Sequence, residues 1–67
     1  DALTEKEQQI LQRIAHGSSN KQIAREIFVS EGTVKFHSNS IYGKLGVASR
    51  TEAVKVAIAR GLIRNPG

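Results

Sequence analysis

Three capping-box spacings and three glycine stops within 67 residues leave this chain little freedom in how it folds. Thr4-Glu5-Lys6-Glu7, Ser19-Asn20-Lys21-Gln22 and Ser49-Arg50-Thr51-Glu52 share one pattern. In it, a hydroxyl accepts from the amide three residues on, and the Glu or Gln side chain returns to the cap amide. After the first box, Ile10, Leu11, Ile14 and Ala15 fall on one face and Gly17 supplies a left-handed stop, which predicts a helix over about 5–16. After the second, Ile23, Ala24 and Ile27 predict a helix over about 20–27, ended without glycine by β-branched Val29 and the next cap at Ser30. Ser30, supported by the Thr33 hydroxyl, opens a third helix over about 31–45, with Val34, Ile41 and Leu45 inward and Gly46 as its stop. The fourth, about 50–60, turns Val54, Ala57 and Ile58 inward; Gly61 ends it, with Leu62 at the apolar position of a Schellman turn. Arg64-Asn65-Pro66-Gly67 reads as a frayed tail. No segment alternates with strand periodicity, so the expected fold is all-α: a compact four-helix single domain spanning 1–67.

The bulk numbers exclude several classes of function. The chain has no cysteine, and His16 and His37 belong to no metal-ligand spacing, so neither a metal nor a cofactor is expected. No nucleophile turn or glycine-rich phosphate loop organises its Ser, His and Glu residues, so no enzyme is expected. Apolar runs are only a few residues long, which rules out a spanning helix, and no signal peptide is visible. A first residue of Asp1 suggests a piece excised from a longer chain. The net charge of +4 is uneven: residues 18–67 hold eight Lys/Arg against Glu26, Glu31 and Glu52, whereas residues 1–17 are net acidic. Such a balance suits a polyanionic partner.

Helices two and three are joined by about three residues, the outline of a helix-turn-helix over about 20–39. At about 100° per residue, Gly32, Lys35, Phe36, Asn39 and Gly43 lie opposite Val34, Ile41 and Leu45 on the third helix. A cation, an amide, an aromatic ring and two glycines are not the Glu, Lys, Gln and Ala of an ordinary solvated face. Gly43, inside the helix, costs about 1 kcal/mol relative to Ala. Either a partner or a neighbouring helix approaches there, or the helix end is soft.

These residues carry a resemblance. Leu3-Thr4, Ser19-Asn20-Lys21, Ile23-Ala24, Ser30-Glu31, Thr33-Val34-Lys35, His37, Ile41, Lys44-Leu45-Gly46-Val47, Arg50-Thr51-Glu52-Ala53-Val54 and Gly61-Leu62-Ile63 together resemble the LuxR-type helix-turn-helix domain. That domain is the C-terminal output module of NarL/FixJ response regulators and quorum-sensing activators. The resemblance runs from Leu3 to Ile63. It departs at Lys6 and Gln9, where the family often has Arg and Glu, and at Gly32 and Gly43, where a side chain is more usual.

The resemblance implies a bacterial transcriptional regulator that binds double-stranded DNA with its third helix in the major groove. It further implies a homodimer contacting through the fourth helix, RNA polymerase as a further partner, a cytoplasmic location, and a regulatory domain on the N-terminal side. Lys35, Phe36 and Asn39 match the positions that face the groove floor. Lys35 can donate to guanine, Asn39 can pair with adenine, and Phe36 can pack on a thymine methyl. Thr33, His37, Ser40 and Lys44 flank them and suit phosphate or support; Asn20 and Lys21 open helix two, and Arg50 opens helix four, within reach of the same backbone. Glu52, Val56 and Ala59 form the candidate dimer seam. Two other readings remain open: a protein-interaction module anchored by Phe36 and Tyr42, and a sigma-factor-like promoter reader.

Overall fold

The computed structural model describes residues 2–64. Four helices follow in order: α1 (Glu5–Ala15), α2 (Asn20–Ile27), α3 (Glu31–Leu45) and α4 (Arg50–Ala59). Each begins where a hydroxyl stands. Thr4 and Ser19 form complete capping boxes with Glu7 and Gln22. Ser30 accepts from the Thr33 amide at 3.1 Å, and the two hydroxyls lie 2.9 Å apart, so Thr33 does support that cap. The third expected box is only half made: Ser49 accepts from the Glu52 amide, but no return bond from the Glu52 side chain accompanies it.

All four helices end in the same way. An amide beyond the cap reaches the carbonyl five residues back: Ser18 to Arg13, Val29 to Ala24, Val47 to Tyr42, and Leu62 to Ala57. This Schellman bond needs a left-handed residue just before the donor. Gly17, Gly46 and Gly61 fill that place with φ of 89°, 71° and 71°. At the end of α2 the place belongs to Phe28, with φ 59° and ψ 48°. The ending of α2 expected from Val29 and Ser30 therefore needs correcting: a left-handed aromatic turns the chain there. α1 and α4 each stop one residue earlier than expected, with His16 and Arg60 as caps.

α3 is the central element and packs against α1, α2 and α4; α1 also meets α4. The core joins Ile10, Leu11 and Ile14 of α1, Ile23 and Ala24 of α2, Val34, Ile41 and Leu45 of α3, and Ala53 and Ala57 of α4. On α4 it is therefore the small alanines that face inward, while Val54, Val56 and Ile58 are half-buried along the edge of the core. The end of the chain is drawn in as well. Ile63 is buried, and the Arg64 amide and carbonyl pair with the Gln12 side chain at 3.2 and 3.4 Å. Arg64 is thus tied to α1 rather than frayed; residues 65–67 lie outside the described residues. Two buried residues are polar, Glu7 and Ser38; Ser38, 5% exposed, has no hydrogen-bond partner for its hydroxyl among the described residues.

Candidate nucleic-acid interface

The inner side of α3 is consumed by the core, and its outer side is left bare. Lys35, Phe36 and Asn39 are all exposed, as are Gly32 and Gly43. Phe36 shows 69% of its surface, a large apolar exposure for a domain with only three aromatic residues. Its ring meets His37 edge-on, with centroids 5.7 Å apart. Among the described residues, none of Lys35, Asn39 and His37 makes a side-chain hydrogen bond or ion pair, so the donors of this face are unspent. The structure thus brings the three expected base-reading residues onto one exposed face of α3. Thr33 and His37, at its rim, are half-buried. On α2, Asn20 is half-buried and Lys21 exposed.

Three of the residues expected to touch phosphate also make hydrogen bonds within the chain. Lys44 Nζ lies 2.7 Å from Glu7 Oε1, and the Ser40 hydroxyl donates to Glu7 Oε2 at 2.8 Å. The Arg50 guanidinium donates to the Ile14 carbonyl, which also accepts from the Gly17 amide, and to the Ser18 carbonyl just beyond α1. Through these bonds Ser40 and Lys44 tie α3, and Arg50 ties α4, to α1 and the link that follows it.

Glu7 is the residue that sequence reasoning placed only as a capping partner. It is 4% exposed. Burial on its own would raise its pKa, but the hydrogen bonds from Lys44, the Thr4 amide and Ser40, with the Lys44 charge, outweigh that and lower it from 4.5 to about 2. The carboxylate therefore stays charged and links α1 to α3. Nothing local in the sequence brings Glu7 and Lys44 together.

The remaining charges sit outside this cluster. Arg13 Nε pairs with Glu26 at 2.8 Å across α1 and α2, on half-exposed side chains, a contact that contributes little. On α4, Glu52 and Ala59 are exposed, and Val56 is half-buried between them and the core. Tyr42 is also half-buried against the core, so it offers no free anchor for a partner helix. No helix among the described residues is long and apolar enough to cross a membrane.

The comparisons with known proteins agree with this architecture. Residues 1–57 match the GerE family, the bacterial regulatory proteins of the luxR family. The chain belongs to that family, a class of transcription regulators rather than of enzymes. It is 52% identical over 61 residues to the transcriptional regulatory protein YdfI of Bacillus subtilis, covering 91% of this chain and 29% of that protein. Among solved structures it is similar to the response regulator ChrA of a heme-sensing two-component system, with a TM-score of 0.91, 48% identity and coverage of 94% of this chain and 31% of that one. The transcription factor GerE superposes with a TM-score of 0.87 at 31% identity, covering 96% of this chain and 97% of GerE. The chain thus spans less than a third of the regulators YdfI and ChrA, and nearly all of GerE.

Proposed function

We propose that this chain is a sequence-specific binder of double-stranded DNA, the output domain of a bacterial two-component response regulator acting on the chromosome in the cytoplasm. The observation that carries this reading is the two-sidedness of α3. Its inner residues build the core, while Lys35, Phe36 and Asn39 stand outward, exposed and without a side-chain hydrogen bond or ion pair among the described residues. With α3 in the major groove, Lys35 donates to guanine, Asn39 reads adenine, and Phe36 covers a thymine methyl. Asn20, Lys21, Thr33 and His37 contact the sugar–phosphate backbone and set the register. Two copies pair on DNA through Glu52, Val56 and Ala59 of α4, and on a promoter the assembly meets RNA polymerase. The half-buried Tyr42 counts against the protein-interaction reading, because it leaves Phe36 without a companion anchor.

Random-site selection with the chain, followed by binding at several salt concentrations, tests this. The expected result is an enriched half-site and an affinity that falls with salt, by about 0.9 in log–log slope for each phosphate neutralised. Lys35→Ala should cost about 1–3 kcal/mol on the selected duplex and little on random DNA. Equal losses on both would move Lys35 to the backbone. No enriched sequence together with no salt response would remove the DNA reading.

A further inference from the structure

Gly32 and Gly43 are the two positions on α3 whose lack of a side chain the fold does not explain. Neither has a positive φ; the left-handed glycines are 17, 46 and 61. A Cβ at Gly43 would meet nothing within 4 Å, and one at Gly32 would meet only the Ser30 hydroxyl at 3.8 Å, an ordinary contact. No neighbouring helix requires either glycine, although glycine inside a helix is destabilising relative to alanine. At about 100° per residue the two lie nearly in line, on the outermost edge of α3, with Phe36 and Asn39 between them. They are roughly 16 Å apart along the axis.

We infer that Gly32 and Gly43 are positioning residues for DNA, bare so that the two ends of α3 clear the walls of the groove while Phe36 and Asn39 reach its floor. This rests on the DNA reading above. A helix with side chains is about 10–12 Å across, and the major groove is about 12 Å wide, so the fit leaves no slack around a full helix. α3 has 15 residues and so runs for roughly 22 Å, a large part of the ~34 Å repeat of the duplex. Over that length a straight helix and a winding groove diverge. In the inferred placement, Phe36 and Asn39 face bases, and Gly32 and Gly43, on either side of them, face the sugar–phosphate walls. Side chains on the outer edge at the ends would lift the helix and withdraw the middle from the bases. Glycine at both ends removes that obstruction and leaves the deep positions to an aromatic ring and an amide.

The test uses the 67-residue chain and the duplex recovered by random-site selection, with a scrambled duplex beside it. Gly43→Ala and Gly32→Ala should melt at or above the parent temperature, because open space and better helix propensity favour them. Both should bind the selected duplex more weakly, by about tenfold, on the scale of one mismatched base pair. Gly43→Leu should lose more than Gly43→Ala, and binding to the scrambled duplex should stay within about twofold for all three, since loose complexes do not seat the helix. Alanine variants that bind the selected duplex as tightly as the parent overturn the inference and leave the DNA reading standing. A lowered melting temperature for Gly43→Ala also overturns it, because the glycine would then serve the fold. If the parent enriches no sequence and shows no salt response, both fall together.

Discussion

Lys44 Nζ and Glu7 Oε1 stand 2.7 Å apart although 37 residues separate them in the chain. This contact ties the end of α3, the helix that carries Lys35, Phe36 and Asn39, to the start of α1. It joins a nearly buried carboxylate to a cation that is itself mostly covered. The surrounding bonds from Ser40 and the Thr4 amide complete the carboxylate's set of donors.

Stability should fall with acid in a window set by Glu7. Its pKa is about 2 in the folded chain against 4.5 ordinarily, so the unfolded chain takes up the proton first. The contribution is fully present above pH ~4.5, declines as the pH falls toward ~2, and amounts to on the order of 3 kcal/mol. Thermal melts from pH 6 to pH 2 should show a steep drop below pH ~4.5. Glu7→Gln should start lower and descend more gently. An equally steep curve in the variant would mean that other carboxylates set the acid limit.

Removing the cation alone should be worse than removing both charges. Lys44→Met leaves a buried, unpaired carboxylate and should cost about 3 kcal/mol or more. Pairing it with Glu7→Gln should recover much of that loss, as urea denaturation can measure. The salt slope of DNA binding should be unchanged in the double variant, because Lys44 is spent on Glu7. A slope shallower by about 0.9 would return Lys44 to the phosphate contacts.

Phe28 holds a conformation suited to glycine, and its ring is 93% exposed. The left-handed region costs an ordinary residue about 1–2 kcal/mol. Phe28→Gly should relieve that strain while losing little packing, raising the melting temperature by several degrees. A lower melting temperature would show that the ring makes a stabilising contact in solution.

The α4 seam is best tested at its exposed end. Val56 touches the core, so Val56→Glu would damage the fold as well as any pairing. Ala59 is exposed, and Ala59→Glu should leave the melting temperature within a degree or two. It should weaken binding to a duplex with two half-sites by about tenfold and leave a single half-site unaffected. Equal binding to both duplexes would place the dimer contact elsewhere.

What the sequence made legible is what local chemistry decides. Thr4, Ser19, Ser30 and Ser49 act on amides three residues away, so their caps are written in the order of residues. The outward set of Lys35, Phe36 and Asn39 follows from helical period once Val34 and Ile41 are known to be inside. The rest depends on contacts between distant segments. Nothing near Ser40, Lys44 or Arg50 announces that α1 will present a carboxylate or a carbonyl to them. Phe28 escaped for a related reason: its own preference opposes the left-handed turn, and the docking of α2 on α3 overrides it.

The separation of the two sides of α3 bears on how such a chain can change over generations. The outward residues spend no hydrogen bond or ion pair on the rest of the described structure. Replacing Lys35, Phe36 or Asn39 therefore leaves the scaffold's inheritance untouched. On the proposed reading, changing these three side chains changes which duplex is recognised and leaves the core, the helix caps and the Glu7 cluster as they are.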